Sequence, residues 1–244
     1  MATPMPLGTQ WMHANHLLAA LPADSMARLQ PHLKFVHLRQ GDVIYESGKE
    51  IQTVLFPTDA VISLTSVMPD GATAEISAVG SEGVLGVSLF MGSGRSTSRA
   101  VTLCAGGGFT LPRRILMTEF NLHGRLMRLL LYYTQALITQ MAQIAACNRH
   151  HTIEQQLSRR LLMALDRVPG NRLMMTHEMI ANMLGVRREG VTDAAGKLQK
   201  LGVIAYSRGK IDVLDRAALE CQSCECYAVV KKETDRLLNH SCAA

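Results

Sequence analysis

Between residues 34 and 112, apolar and polar positions follow one another in short runs that are typical of β-strands. The runs cover residues 35–38, 43–45, 54–56, 61–67 and 73–79, with turn-forming Gly, Pro and Asp between them. Two more runs, 98–104 and 109–111, lie on either side of a predicted turn at Gly106-Gly107-Gly108. Many short strands at regular spacing predict an antiparallel sandwich or jelly roll.

Outside this region, apolar residues recur every three or four positions, which is the helical period. Residues 15–33 predict a short helical pair, and residues 114–150 predict one long helix. Because a helix of this length is longer than the surface that one small domain can cover, we expect its apolar stripe to pack against the same helix of a second chain. The predicted dimer interface consists of Leu126, Leu130, Tyr133, Leu137, Met141 and Ile144. The alternative is a long helix that lies on its own domain.

Residues 176–210 predict two short helices joined by a tight turn and followed by a β-hairpin. Thr176 can cap the first helix, and Gly185 lies where a helix end favours positive φ. The second helix is predicted from about Arg187 to Lys200. Its inward face would consist of Val191, Ala194 or Ala195, Leu198 and Leu201. Residues 201–206 and 210–214 predict the two strands of a wing. Residues 216–238 close the chain, with an amphipathic helix predicted around Val229, Val230, Leu237 and Leu238.

This pattern is typical of a winged helix-turn-helix, in which the second helix enters the major groove of DNA. A plain helical hairpin is the alternative, but the Arg-Arg-Glu start of the second helix and the basic wing favour DNA binding. The candidate DNA-binding residues are Thr176, Arg187, Arg188, Glu189, Thr192, Asp193, Lys197, Arg208 and Lys210.

The distribution of charge supports a polyanionic partner. The formal net charge is only +5, but residues 149–210 contain eleven Lys and Arg against five Asp and Glu, whereas the rest of the chain is nearly neutral. Such a patch gains affinity from phosphate contacts and counterion release. No apolar run approaches the roughly 20 residues of a membrane span, and residues 1–10 lack the pattern of a secretory signal. We therefore expect a cytoplasmic protein without a membrane partner.

The order of a β-roll, a long helix and a winged helix-turn-helix closely resembles the Crp/Fnr family of transcription regulators. The resemblance runs from about Leu17 to Leu214, and its most specific pieces are Gly41-Asp42 with Gly48, residues 83–86 and residues 185–191. It implies an α+β fold with an effector-sensing roll (15–113), a dimerisation helix (114–150) and a DNA-binding domain (151–244). It also implies a homodimer that reads near-palindromic promoter sites and has RNA polymerase as a further partner.

By this resemblance, the base-reading Arg-Glu pair of the family falls on Arg188 and Glu189. An arginine can donate two hydrogen bonds to a guanine edge, and a glutamate can accept one from cytosine N4. Arg187 is expected to contact phosphate. A second base-reading arginine of the family is replaced by Asp193, so we expect a different target sequence.

Cyclic-nucleotide binders of this family use a Gly-Glu-Leu segment for the ribose and an Arg-Ser pair for the cyclic phosphate. Here Val84 occupies the glutamate position, and Glu82 lies one residue early, where the alternation of strand side chains should point it elsewhere. The candidate effector pocket comprises Glu82, Gly83, Val84, Leu85, Gly86, Arg95, Ser96 and Arg99. We do not expect cyclic AMP; another small anionic effector, no ligand, or a structural relic remain as alternatives.

Three cysteines form the motif Cys221-Gln222-Ser223-Cys224-Glu225-Cys226. They could share a soft metal, with His240 or Cys242 as fourth ligand. They could also form a redox-switched disulfide or simply pack against neighbouring helices. The oxygen sensors of the family hold an iron–sulfur cluster through cysteines that precede the roll. This chain has no cysteine before Cys104, which excludes oxygen sensing by such a cluster. His16, His32 and His37 are candidate haem ligands, but we expect ordinary surface or core histidines.

The sequence thus supports three functional hypotheses. The first is a DNA-binding transcription regulator. The second is a cyclic-nucleotide or dinucleotide receptor whose winged helix binds protein, and the third is a metal or redox switch centred on the cysteine motif. There is no P-loop, nucleophile elbow or His-Glu metal motif, so we do not expect an enzyme.

Overall fold

The computed structural model describes residues 11–239. It begins with the predicted helical pair, α1 (His16–Ala19) and α2 (Ala23–Leu29), followed by a 3₁₀ turn at Gln30–His32. The Asn15 carboxamide caps α1 by accepting hydrogen bonds from the N–H groups of Leu17 and Leu18. Its amide nitrogen donates to the carbonyls of Pro57 and Gly83, both at 2.9 Å. One buried side chain therefore fastens the N-terminal helices to the sheet domain.

The predicted antiparallel roll is confirmed, with seven strands in two sheets. The strands are β1 (Lys34–Leu38), β2 (Val43–Tyr45), β3 (Thr53–Pro57), β4 (Val61–Val67), β5 (Thr73–Val79), β6 (Arg99–Cys104) and β7 (Gly106–Pro112). One sheet has the order β1-β7-β3 and the other β2-β6-β4-β5. Phe56 on β3 pairs with Phe109 on β7, and both rings are buried in the roll core.

The three consecutive glycines lie within β7, so the predicted turn at 106–108 is wrong. They pair with residues 36–38 of β1. The neighbours come very close: a Cβ at Gly106 would lie 2.5 Å from the backbone nitrogen of Ala60, and one at Gly107 would lie 2.5 Å from the ring of Phe35. Glycine serves here for close approach of chains within a sheet.

The predicted long helix is two helices, α3 (Arg113–Phe120) and α4 (Arg125–His150). The break lies at 121–124, where His123 adopts a positive φ of 55°. The predicted dimer interface is wrong, because this stripe is buried within the same chain and most of it packs against the roll. Of the six predicted residues, Leu126, Leu130, Tyr133, Leu137 and Ile144 are buried within the chain and Met141 packs against the roll core. The tyrosine ring fits against Gly83, where a Cβ would lie only 2.2 Å away.

The C-terminal half has its own apolar core and the predicted wing. A third strand, β8, joins β9 and β10 in the order β8-β10-β9. Leu201, predicted to face inward, is 61% exposed, because α7 has ended at Lys200. The amphipathic helix predicted around 229–238 belongs to α9, and a shorter helix, α8, precedes it. The elements are α5 (Ile153–Leu165), β8 (Arg172–Met174), α6 (His177–Leu184), α7 (Arg188–Lys200), β9 (Ile204–Ser207), β10 (Lys210–Val213), α8 (Arg216–Cys221) and α9 (Glu225–Asn239).

The two halves are in contact through buried groups. Val61, Ala78 and Leu103 of the roll contribute to the C-terminal core. A buried ion pair joins Glu75 on β5 to Arg160 on α5, with Nε 2.8 Å from Oε1. No helix within residues 11–239 is both long and apolar enough to cross a membrane.

Candidate nucleic-acid interface and effector pocket

Helices α6 and α7 form the predicted helix-turn-helix, and the first braces the second. Thr176 caps α6 by accepting from the N–H of Met179 at 3.1 Å. Gly185 ends α6 with a positive φ of 66°, a conformation that costs glycine little. Apolar side chains of both helices, Ile180 and Leu184 on α6 with Val191 and Leu198 on α7, are buried in one core. The orientation of α7 is therefore fixed by packing.

The N-terminal turn of α7 presents charged side chains to solvent. Arg187, Arg188 and Glu189 are exposed, as are Thr192 and Asp193 one turn later. Within the described residues, no ion pair or hydrogen bond engages the side chains of Arg187, Arg188 or Glu189. Their charged groups are therefore available to an external partner at the end of the helix that enters a groove in this class of protein.

His177, which the sequence analysis did not select, links α6, α7 and the wing. Its ring stacks on Tyr206 of β9 with centroids 3.9 Å apart, and its Nδ1 lies 3.0 Å from the Thr192 hydroxyl. That hydroxyl donates to the carbonyl of Arg188 at 3.1 Å, so Nδ1 is the donor to Thr192. Burial and the nearby Arg188 charge lower the pKa of His177, which favours the neutral ring. The only sequence signal was its place directly after the Thr176 cap.

The remaining predicted DNA-binding residues divide into two groups. Arg208, with a positive φ of 48°, and Lys210 are exposed at the tip of the wing. Lys197 forms an ion pair with Glu154 of α5, and the Thr176 hydroxyl accepts the capping bond. Lys197 and Thr176 therefore support the fold of the domain. Of the predicted residues outside α7, Arg208 and Lys210 of the wing are the basic groups that could contact an external partner.

A cavity of about 370 Å³ lies between the roll and α4. Four of the predicted pocket residues line it: Val84, Gly86, Arg95 and Ser96. From α4 come Thr134, Leu137, Ile138 and Met141, and the roll adds Tyr45, Ser88 and Ser98. A ligand in this cavity would touch both the roll and the long helix.

The other four predicted pocket residues do not line this cavity, which corrects the prediction for them. Glu82 lies in the turn that follows β5 and accepts a hydrogen bond from Arg167 Nε at 2.8 Å. Gly83 faces the ring of Tyr133. Leu85 is buried and bridges to Leu55 in the sheet, and Arg99 pairs with Glu46 at 3.2 Å.

The lining combines apolar groups, hydroxyls and one cation. The hydroxyls of Ser96 and Ser98 lie 2.9 Å apart, and burial raises the pKa of Tyr45 beside them to about 12. The Ser88 hydroxyl is buried without a hydrogen-bond partner among the described residues. Among the described residues, no carboxylate lines the cavity, so the charged acceptor that the cyclic-nucleotide binders use for the ribose has no counterpart there. The set suits a small ligand with an anionic group near Arg95.

The cysteine motif is assembled differently from the prediction. Cys224 and Cys226 lie beside Cys147 of α4 and His151, which directly follows that helix, whereas Cys221 is exposed and outside this group. The predicted fourth ligands, His240 and Cys242, lie outside the described residues. The candidate haem ligands His16, His32 and His37 are all exposed, which agrees with ordinary surface histidines.

Comparison with known proteins agrees with this architecture. A family model of the Crp-like helix-turn-helix domain matches residues 124–221, and no curated protein matches significantly by sequence. A structure assigned to the Crp/Fnr transcriptional regulators, from Eubacterium rectale, matches with 19% identity and a TM-score of 0.67, over 84% of this chain and 96% of that one. FixK2 from Bradyrhizobium japonicum matches with 16% identity and a TM-score of 0.65, over 79% and 98%. The c-di-GMP-responsive global regulator CLP of Xanthomonas campestris matches with 15% identity and a TM-score of 0.64, over 80% and 100%.

At these identities the structural matches establish the fold, and the family model establishes the domain that carries α6 and α7. The chain therefore contains a Crp-like helix-turn-helix domain and has the fold of the Crp/Fnr transcription regulators, which confirms the resemblance drawn from its sequence.

Proposed function

We propose that the protein is a homodimeric regulator that binds near-palindromic promoter DNA through Arg188 and Glu189. The observation that carries this proposal is the first turn of α7, where both side chains are exposed and have no partner in the described part of the chain, on a helix whose opposite face is buried. Arg188 would donate to a guanine edge and Glu189 would accept from cytosine N4. Arg187, Arg208 and Lys210 would contact phosphates, which set the position on the duplex but carry no sequence information.

The exposed side of α4 supports the homodimer. Its solvent-facing residues are spaced alternately by three and four positions: Arg128, Leu131, Gln135, Ile138, Ala142 and Ala145. This is a coiled-coil seam, and it lies opposite the stripe that packs on the roll. Ile138 is 53% exposed, and the two alanines would let partner helices approach closely. A two-fold axis along this seam would place the two α7 helices on half-sites roughly one helical turn apart.

The cavity supports an effector that acts through the same helix. Ile138 belongs both to the cavity lining and to the exposed seam. A small anionic ligand held by Arg95 and the serine hydroxyls would therefore contact a residue of the dimer interface. It would change DNA binding only if it favoured one arrangement of the two helices over another. The lining residues between 11 and 239 include no carboxylate for a ribose hydroxyl, which argues against cyclic AMP.

The proposal includes a cytoplasmic protein that contacts RNA polymerase, organised as a sensor (15–113), a dimer helix (114–150) and a DNA-binding part (151–244). The named structural relatives are regulators, which supports a non-catalytic role. A receptor whose winged helix binds protein is the second candidate. Steep loss of affinity for duplex DNA with rising salt would distinguish the regulator from it, because phosphate contacts release counterions.

The substitution Arg188→Ala tests the proposal. Its affinity for the preferred site should fall roughly tenfold to a hundredfold, since one bidentate base contact contributes about 1–3 kcal/mol of discrimination. Salt-sensitive binding to unrelated DNA should remain. The matched control is Arg39→Ala, which removes an exposed arginine on the roll. Unchanged site preference in Arg188→Ala, measured by fluorescence anisotropy against specific and scrambled duplexes, would refute the base-reading assignment.

A further inference from the structure

Four side chains capable of binding metal converge where α4 ends and α9 begins. Cys147 lies in the last turn of α4, and His151 is the residue that directly follows this helix, its N–H donating to the Cys147 carbonyl at 3.0 Å. Cys224 and Cys226 come from the junction between α8 and α9. The four ligand atoms all lie within 4.8 Å of one another, and the three cysteines are buried together.

The spacing fits a single tetrahedral ion. The Sγ atoms of Cys147 and Cys224 are 3.5 Å apart, and Cys226 Sγ lies 3.4 Å from Nδ1 of His151. With Zn–S bonds of about 2.3 Å and Zn–N bonds of about 2.0–2.1 Å, tetrahedral angles place ligand atoms roughly 3.5–3.8 Å apart. An iron–sulfur cluster attaches its thiolates to separate irons and needs a wider set. Soft thiolate ligands with an imidazole favour Zn²⁺.

Neighbouring polar groups orient the candidate ligands. Nε2 of His151 lies 3.3 Å from a carboxylate oxygen of Glu225, which leaves Nδ1 directed at the cysteines. Carboxylate–histidine pairs of this kind commonly fix the tautomer of a metal ligand. The side-chain amide of Gln143 donates to the sulfur of Cys226 at 3.2 Å. Both contacts would persist around a bound ion.

A buried positive charge next to the cluster supplies an independent argument. Arg159 is only 2% exposed, and its Nη1 contacts the sulfur of Met163 at 3.3 Å. Among the described residues, no carboxylate pairs with it. Its charge acts electrostatically on Cys147 of the cluster. A divalent ion with three thiolates and a neutral imidazole has a net charge of −1, which would compensate this costly buried cation.

We propose that Cys147, His151, Cys224 and Cys226 bind one Zn²⁺ ion that clamps α9 onto α4. On binding, the ion displaces the three thiol protons to solvent. Because Thr152 follows His151 directly and caps α5, the ion sits at the hinge between the long helix and the DNA-binding half. The clamp would fix how that half sits on α4. The proposed zinc site does not depend on which DNA sequence the protein binds.

Metal analysis of the full chain, purified without chelator, is the first test. We expect about one zinc ion per chain. Cys147→Ser and Cys226→Ser should each lose most of the metal, whereas Cys221→Ser, the matched control in the same motif, should keep it. Equal loss in Cys221→Ser would overturn the assigned ligand set, as would metal-free wild-type protein that fails to take up added Zn²⁺ after reduction.

Cobalt substitution tests the site without relying on variants that could misfold. Reduced, metal-free wild-type protein titrated with Co²⁺ should give thiolate-to-cobalt charge transfer and the visible bands of tetrahedral coordination, saturating at about one equivalent. Removing the metal should lower the thermal midpoint by at least about 5 °C and speed amide exchange in α9. Octahedral spectra, no uptake, or a Cys147–Cys224 disulfide as the native state would each refute the zinc clamp.

Discussion

Glu75→Gln removes the carboxylate of the buried ion pair between the roll and the DNA-binding half. In the pair, Arg160 Nη2 donates to Glu75 Oε2 at 2.9 Å, and Nε lies 2.8 Å from Oε1. The hydroxyl of Ser63 donates to the same carboxylate at 2.6 Å. The two side chains are only 1% and 5% exposed. The pair therefore joins β4, β5 and α5 at a place that water does not reach.

The size of the effect follows from this burial. Removing one partner of a buried pair typically costs about 3–5 kcal/mol, because the other charge is left uncompensated. Glutamine can still accept a hydrogen bond from Arg160, so we expect a loss near the lower end, about 3 kcal/mol. Replacing both partners with Glu75→Gln/Arg160→Met should recover at least half of this loss, since no unpaired charge then remains.

Urea unfolding at fixed protein concentration, followed by circular dichroism, measures both effects. Glu233→Gln is the matched control, because Glu233 pairs with Arg236 on the surface of α9; its unfolding free energy should not change measurably. A loss below about 1 kcal/mol in Glu75→Gln would refute the reasoning, since it would mean that the pair is hydrated in solution. Additive losses in the double variant would show that the two groups are not coupled.

Two further outcomes are expected. Ala142→Glu introduces like charges into the exposed seam of α4 and should convert dimers to monomers in analytical ultracentrifugation. The same substitution at the exposed Ala228 of α9 is the control and should leave the dimer intact. A dimer that persists in Ala142→Glu would exclude the seam as the interface. His177→Phe keeps a ring on Tyr206 but loses the bond to Thr192, which should cost about 1 kcal/mol at pH 7.5. Because the folded-state pKa of His177 is lowered, its neutral form stabilises the fold above the unfolded pKa of about 6.5, and that stability is lost as pH falls through the folded pKa. Wild-type protein should therefore lose more stability than His177→Phe between pH 7.5 and 5.5; equal losses in urea unfolding would contradict this origin.

The sequence was sufficient for the elements whose pattern is local. The strands of the roll, the α6–α7 pair and the wing follow from apolar periodicity, turn residues and caps. The Thr176 cap and the Gly185 turn are made by the residues that the sequence indicated. Glu82 also lies away from the pocket, as expected, but the expected reason was wrong: it stands in a turn and is held by Arg167, not by the alternation of a strand.

The errors concern contacts between distant parts of the chain. The periodicity of α4 showed a stripe from Leu126 to Ile144 but could not show whether the roll or a second chain covers it. Likewise, the spacing of Cys221, Cys224 and Cys226 suggested a local cluster. The observed cluster includes Cys147 and His151 from the C-terminal end of α4, some seventy residues earlier in the chain. Tertiary packing of α9 against α4 brings these groups together, and no local pattern records it.

The most direct test of the central claim is selection of genomic DNA fragments by the purified protein at two salt concentrations. We expect a two-fold-symmetric motif with half-sites about one helical turn apart, and this motif should persist at the higher salt because base contacts add to the phosphate contacts. In Arg188→Ala the motif should disappear. Binding without any motif that vanishes at the higher salt would contradict the proposed regulator and leave only a basic surface.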